Sequence, residues 1–491
     1  MASATQPSTT APAGGNTEKW SPRLWGALFV LCGALFLDGL DVSMVGVALP
    51  SIQADLGLST SALQWVVSGY VLGYGGLLLL GGRTADLLGR RKIFLIAIGV
   101  FAVASLVGGL VDDGTLLIVT RFIKGVSAAF TAPAGLSIIT TTFPEGPTRN
   151  KALSIYTVFG ASGFSSGLIF GGLMTEIGWR WTFLLPVPIA IAVLIAGIKL
   201  VPQDRAVTRG KYDLAGAATL TGAMLLLVFG VVEAPHAGWL SLRTLGTLVL
   251  IVALLFAFVA IEKRSPHPLV RLGIFKNRAI VRANIAAMTV VGSYVGFQFV
   301  TTLYMQQTLQ WSPMIMALAL LPGGLIVAFG GPQTGKLVDR FGAAKITLLG
   351  LAAFVPGYLL FLRIDLDPLY VAVVLPTMVL IGIGFGLAFP ALNIEATNGV
   401  ADHEQGLASG LVQTSFQVGG AIVLAVVTAV LTSGFAAGAD PIAAYHPAIG
   451  VVAIVATIGL AIIAAGLLFR GRRARPVEEP VDDRLPELEN V

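Results

Sequence analysis

The chain is predicted to be an all-α polytopic membrane protein: fourteen transmembrane helices, arranged as two six-helix bundles with two inserted helices between them. Three observations predict it. Of 491 residues, 55% are hydrophobic and only 12% charged, with a mean hydropathy of +0.85. Soluble domains carry about 25% charged residues, so this composition suits lipid as the solvent. The apolar residues gather into fourteen long runs, and a charged segment after the second run recurs, weakened, after the tenth.

A hydrocarbon core about 30 Å thick needs about 20 apolar helical residues to cross it. Residues 1–22 are small, polar and rich in Pro, Gly and Thr, which predicts a disordered tail. The apolar run that follows begins near Leu24, is long and contains acids, unlike a secretory signal. Residues 23–201 hold six runs, at 24–49, 61–81, 93–111, 115–135, 152–173 and 181–200. Residues 202–278 hold two more, at 214–232 and 244–261, carried on a hairpin with charged linkers. Residues 279–470 hold the last six, at 281–305, 314–335, 346–362, 369–392, 406–433 and 448–469, and 471–491 form a charged, Pro-containing tail. The ten-residue alternation of a membrane β-barrel is absent, which leaves helices as the spanning structure. No loop is long enough to house a soluble catalytic domain, so the chain is not expected to be an enzyme.

Lys and Arg set the orientation. With residues 1–22 in the cytoplasm, the outer loops hold only Arg180, Arg243 and Arg363 of the 31 Lys and Arg, and the fourth run holds Arg121 and Lys124. All the others fall inside. This is the positive-inside pattern, and it puts both termini in the cytoplasm. The same distribution explains the net charge of +5 without a nucleic-acid partner. A single cysteine, Cys32, excludes a disulfide framework. The four histidines (His236, His267, His403, His446) fall in predicted loops without metal-ligand spacing, so no metal and no cofactor is expected. A phosphate-cradling Gly-rich loop is also missing, which argues against ATP as the energy source. The expected partners are a small-molecule substrate and the lipid bilayer, with the chain acting as a monomer. Arg outnumbers Lys 21 to 10 and Ala and Gly abound, which points to a GC-rich bacterial genome and a bacterial cell membrane.

The recurring segment carries the organisation. "GGRTADLLGRRK" at 81–92 and "TGKLVDRFGAAK" at 334–345 share Gly82 with Gly335, Asp86 with Asp339 and Gly89 with Gly342, at spacings of four and three. Each copy follows the second run of a six-run group, which implies duplication of a six-helix unit. Internal repeats of this kind mark secondary transporters.

Only four charges lie deep inside the predicted spans: Asp38 and Asp41 in the first, Arg121 and Lys124 in the fourth. A charge at the bilayer centre costs ~3 kcal/mol on insertion scales, and intramembrane ionisable groups are functional by default. Each pair is spaced i,i+3 and shares one helix face. Asp41 lies nine residues before Pro50 and Lys124 nine after Thr115, so both sit roughly 13 Å from the outer ends at about 1.5 Å per residue.

On these residues the chain resembles the major facilitator superfamily, and within it the fourteen-helix drug:proton antiporter branch. "GRTADLLGRR" looks like the superfamily's loop motif, "RFIKGVSAA" (121–129) its fourth-helix motif and "LDVSMVGVALP" (40–50) the first-helix motif of that branch. "GFSSGLIFGG" (163–172) resembles the fifth-helix antiporter motif and "WRWTFLLPVP" (179–188) the start of the sixth helix. Leu168 stands where the antiporter motif has proline, Lys124 where glutamine is usual and Gly46 where asparagine is usual.

The resemblance implies a proton-coupled exporter of amphipathic or cationic organic compounds, working by alternating access, with multidrug efflux and antibiotic resistance as its outcome. Protons are then the coupling ion. Asp41 is expected to be the main protonation site, with Arg121 as modulator, Asp38 in proton or cationic-substrate binding and Lys124 completing the cluster; a static ion pair is the other reading. The loop residues Gly82, Asp86, Gly89 and Arg90 are expected to latch the two halves together, with Asp339 a vestigial counterpart. Gly163, Gly167, Gly171 and Gly172 form a flat helix face for close packing. Trp65, Tyr70, Tyr74, Phe159, Tyr294, Phe297, Gln298 and Tyr304 are the candidate cavity lining, where aromatic faces suit apolar or cationic ligands. A uniporter or importer of a small organic solute shares the same architecture, and a membrane sensor without transport is the alternative from another class.

Overall fold

The computed structural model describes residues 20–144, 147–203, 213–238, 240–265, 270, 272–397, 405–436 and 440–473. Among these residues fourteen long helices follow one another. In the first half they are α1 (Pro22–Leu56), α2 (Thr60–Leu88), α3 (Arg90–Gly108), α4 (Gly114–Thr142), α5 (Pro147–Ile177) and α6 (Trp181–Leu200). A hairpin of α7 (Leu214–Ala237) and α8 (Leu242–Arg264) leads to α9 (Arg278–Leu303), α10 (Pro313–Phe341), α11 (Ala343–Phe361), α12 (Leu375–Thr397), α13 (Gln405–Ala436) and α14 (Pro441–Arg473). Thirteen are long and apolar enough to cross a membrane, and α7 adds the apolar stretch Ala215–Val231. His236 and His446, expected in loops, lie near the ends of α7 and α14 but inside them: a single imidazole does not interrupt a helix. His267 and His403 lie outside the described residues.

The helices start where a side chain can take up an orphan backbone N–H. Ser21, Ser59, Asp113, Asp213, Ser241, Asn277 and Ser312 each accept from an amide two or three residues on. The duplicated loop has a common backbone cause. Gly89 (φ 102°) separates α2 from α3 and Gly342 (φ 87°) separates α10 from α11, a region that only glycine enters without strain. The two copies are thus conserved within one chain by the same tight turn.

Within the first half α1 packs on α5 and α6, α2 on α4, and α3 on α4 and α6; within the second, α9 packs on α13 and α14, α10 on α12, and α11 on α12 and α14. The halves meet along a seam formed by α5 with α10, α2 with α13, and α1 with α9. The α7–α8 hairpin docks through α7 onto both α2 and α13, while α8 faces outward.

The seam is closed at one end. At the end away from the chain termini, Val45, Ala48, Ile52, Leu63 and Val66 share one hydrophobic core with Phe297, Leu303, Met305 and Leu320 of the other half. At the termini-bearing end the first half keeps a separate core, including Leu28, Phe94, Ile138 and Phe143. Hydrogen bonds follow the same division. Gln306 donates to the Val47 carbonyl at 2.7 Å, Gln307 to Gln53 at 2.6 Å and Ser312 to Glu176 at 2.9 Å, all at the far end. Gln306 and Gln307 lie on a π-helical turn, Tyr304–Thr308, that ends α9. The extra residue in such a turn re-aims side chains, here toward α1. Along the termini-bearing part of α10, by contrast, a Cβ at Gly330, Gly331 or Gly335 would meet nothing within 4 Å, and Phe329 is 76% exposed.

Candidate functional site

Close helix contacts build the site. On α5, a Cβ at Gly163 would fall 2.3 Å from the Phe36 carbonyl oxygen, and Gly167 and Gly171 sit as tightly on Leu40, Ser43 and Met44 of α1. On α4, Gly125 lies equally close to Tyr70 of α2. Small residues therefore pull α1 and α2 in beside the charged face of α4. Gly172, expected to share the face of the other three glycines, instead meets Pro313, Met314 and Ala317 of α10 across the seam. One residue of helix advance turns a side chain by about 100°, enough to change its neighbour.

Asp41, Arg121 and Lys124 come together with no water-exposed surface to speak of: they are 0%, 2% and 0% exposed. Each carboxylate oxygen of Asp41 has its own cation, Oδ2 accepting from Arg121 and Oδ1 from the Lys124 ammonium. Arg121 Nε donates to the Val66 carbonyl at 3.0 Å, and its guanidinium lies 4.8 Å over the Tyr70 ring. The Lys124 ammonium also donates to Ser105 Oγ at 2.9 Å, and that hydroxyl donates to the Phe183 carbonyl at 2.7 Å. Phe101 and Phe183 cover the ammonium at 4.6 and 5.1 Å. Lys124 is therefore turned toward α3 and α6, away from the seam. One buried acid shared by two cations leaves a positive excess. Low-dielectric surroundings make that costly unless a further negative group is near.

Asp38 is a further carboxyl within reach of Asp41 and Lys124. It lies one turn earlier on α1, is half-buried, and keeps a buried Oδ2 with no hydrogen-bond partner among the described residues. Asp41, Lys124, Tyr70, Tyr74 and Tyr156 all stand within its electrostatic range. Tyr70 and Tyr74 pack edge to face at 5.9 Å.

Across the seam lies an aromatic ladder. Tyr294 of α9 meets Phe385 of α12 at 4.5 Å; Phe385 stacks on Phe389 at 5.1 Å, and Phe389 on Phe416 of α13 at 4.7 Å. Phe164 of α5 approaches Tyr294 from the first half at 6.1 Å. A cavity of about 40 Å³ beside Tyr294 is bounded by Leu168, Gln298, Gly323, Gly324 and Met378. Leu168, in the place of the motif's proline, caps it by lying against Gly324, while Ser165 donates to the Gly324 carbonyl at 3.0 Å.

Several expected lining residues lie elsewhere. Phe159 packs on the outward-facing Phe29. Tyr304 is buried in the second half, donating to the Asp365 carbonyl and packing on Phe361 and Tyr445. Trp65 packs on Phe229 of α7. Phe297 touches the cavity but its ring is held between Tyr358 and Phe361. An aromatic residue in an all-apolar helix carries no mark of which side it faces, so spacing alone could not separate Trp65, Phe159 and Tyr304 from the lining residues Tyr294 and Phe297. Gln298 approaches Gly46 of α1, whose Cβ would lie 3.3 Å from the amide. The expected loop residues extend the helices instead: Gly82, on α2, faces Pro133 of α4, and Asp339, on α10, is exposed. Arg90 begins α3 and is half-buried, and its neighbour Arg91 donates to the Ile198 carbonyl of α6 at 2.6 Å. The Asp86 side chain lies outside the described residues.

Sequence reasoning missed Phe164, Phe385, Phe389, Phe416 and Tyr156. It also missed a second buried ion pair, Arg282 with Glu395, at 2.8 Å. The last had a signal, a charge on each of two facing helices, but both residues stand near the ends of apolar runs and read as loop charges.

Two pseudo-repeated helix bundles with a central seam, charges buried on one side of it and aromatics on the other, define a polytopic carrier of the secondary-transporter kind. The chain belongs to the Major Facilitator Superfamily, whose family model matches residues 31–424. It is 37% identical to the puromycin resistance protein pur8 of Streptomyces alboniger over 91% of both chains. It is 36% identical to the cephamycin export protein CmcT of Amycolatopsis lactamdurans over 88% of this chain and 90% of that one. Its fold is similar to the crystal structure of the POT family transporter PepTSo, with a TM-score of 0.66 at 16% identity, covering 92% of this chain and 99% of that one.

Proposed function

We propose that the chain exports amphipathic or cationic organic compounds, antibiotics among them, from bacterial cells in exchange for protons, by alternating access. The single observation that carries the coupling is the buried Asp41–Arg121–Lys124 cluster with half-buried Asp38 beside it, whose Oδ2 has no partner among the described residues. The export and resistance names of the two relatives support the direction and the kind of cargo. The Lys and Arg bias assigns the termini-bearing end to the cytoplasm. The present conformation then faces inward, since the far end carries the shared core and the cross-seam hydrogen bonds.

The two aspartates divide the work. Asp41 has both oxygens engaged and holds Arg121 and Lys124 in place. Asp38 keeps one oxygen with no hydrogen-bond partner among the described residues, so it takes either the incoming proton or the cationic head of a compound, and the two compete. A cation at Asp38 neutralises the site in the proton's place; its aromatic part can lie on the Tyr294–Phe385–Phe389 ladder. Exchange of one positive charge for the other leaves the net charge of the occupied cluster the same whichever of the two is bound.

Proteoliposomes test this with ethidium and puromycin as probes. An imposed pH gradient should drive both uphill, and Asp38→Asn should abolish the driven movement at unchanged protein abundance. Equilibration that ignores the gradient would instead identify a facilitator and remove the coupling reading.

A further inference from the structure

The second half buries an ion pair of its own. Arg282 of α9 donates to Glu395 Oε1 of α12 at 2.8 Å, with the side chains 12% and 6% exposed. Arg282 is one turn into α9, and Glu395 stands two residues before the end of α12. At 1.5 Å per residue the pair therefore lies within roughly 6 Å of the cytoplasm-assigned end. Duplication equates α9 and α12 with α1 and α4, the helices that carry Asp41 and Arg121. Each half thus buries an acid and an arginine between its first and fourth helices. The two pairs sit toward opposite membrane faces, and acid and base have changed helices.

This pair is only half satisfied. Glu395 Oε2 and Arg282 Nε are buried and have no partner among the described residues. A half-satisfied buried network is costly, and an orphan carboxylate oxygen is a place a proton can occupy. The guanidinium is laid against α14 at Gly466, where a Cβ would fall 2.5 Å from Nη1. Glu395 is the only carboxylate in α9, α11, α12, α13 and α14. On the helices packed against α12, the charged residues are Arg278 and Arg282 of α9, Lys336, Asp339 and Arg340 of α10 and Lys345 of α11; all except Arg282 are exposed, and α13 has none. Beside the pair, Ser415 bonds Asn284 at 2.8 Å and Gln413 bonds Asn393 at 3.4 Å, a belt of polar groups linking α9, α12 and α13.

We propose that Glu395 is a second proton-accepting carboxyl of the transporter, one that trades its ion pair with Arg282 for a proton as the second half moves. Gaining a proton from water, the carboxylate becomes a neutral acid and its charge-assisted bond to Arg282 opens. Releasing that proton to the cytoplasm re-forms the pair, which is the arrangement seen in this inward-facing conformation. Arg282 keeps its own proton throughout. This assignment rests on the proton-coupled reading above and extends it to the second half.

The test needs no known substrate. Full-length protein in nanodiscs is moved between pH 8 and pH 5 while infrared difference spectra follow the protonated-carboxyl stretch. Glu395→Gln should remove one component of that band, and Asp38→Asn a different one. Should Glu395→Gln fail to fold, Glu395→Asp should shift the same component while leaving the Asp38 component in place. A band unchanged by both substitutions overturns the proposal and makes the pair a fixed structural contact. The two readings fail separately. Gradient-driven ethidium transport with no Glu395 component sinks this proposal alone. A clear Glu395 component in a protein that moves ethidium and puromycin without regard to pH sinks the coupling reading and leaves Glu395 titratable.

Discussion

Gly167 holds α5 against α1 directly behind the charged cluster, and replacing it by alanine tests whether that approach positions Asp41. The new methyl would lie 1.9 Å from Ser43 Oγ and 2.7 Å from the Leu40 carbonyl oxygen. The hydroxyl can rotate away, but the α1 backbone cannot. Ordinary contact begins near 3.4 Å, so the helices must part by about 0.7 Å, the difference between 3.4 and 2.7 Å. Overpacking of this kind costs ~1–3 kcal/mol. Asp41 follows Leu40, so the displacement draws its carboxylate off Arg121 and Lys124. Gly167→Ala should therefore lower the melting midpoint in detergent and slow gradient-driven export together. Adding Ser43→Ala should recover little, because the carbonyl clash remains. Gly331→Ala on α10 is the control, since a Cβ there meets nothing within 4 Å. If Gly167→Ala melts and exports like that control, the packing argument is wrong.

Two further outcomes are expected. Gln306→Leu removes the 2.7 Å bond to the Val47 carbonyl; a net loss of ~1 kcal/mol is about fivefold in a conformational equilibrium. A cysteine placed at the buried Leu49 should then react about fivefold faster with a membrane-impermeant maleimide added outside, and an unchanged rate would deny Gln306 a part in closing that end. Phe389→Ala breaks two stacked contacts, each of ~0.5–1.5 kcal/mol, so affinity for a planar dye should fall several-fold while that for a tetraalkylammonium ion changes little; equal losses for both would argue against the ladder as a binding surface.

Much of the architecture was legible because lipid demands long apolar runs and punishes charge. The fourteen helices, the duplicated turn at Gly89 and Gly342, and the four conspicuous charges all stand out against such a background. The structure gathers Asp41, Arg121 and Lys124 into one cluster and leaves Asp38 beside it. The apolar side of the site was not legible for the same reason. Phe385, Phe389 and Phe416 are apolar residues in apolar helices, and only packing shows that they face one another rather than lipid. Trp65, Phe159 and Tyr304 looked equally plausible and turned out to serve the inserted hairpin, the outer surface and the core of the second half. Glu395 and Arg282 went unread because hydropathy cannot tell a helix end that dips into a bundle from one that reaches water.

The docking of α7 across α2 and α13 bears on how hydrophobic cargo gets in. It covers the α2–α13 flank of the seam, while on the cytoplasm-assigned stretch of α10 a Cβ at Gly330, Gly331 or Gly335 meets nothing within 4 Å. On the proposed export reading, a compound dissolved in the inner leaflet would meet the bare Gly330–Gly331 stretch of α10 and not the flank that α7 covers.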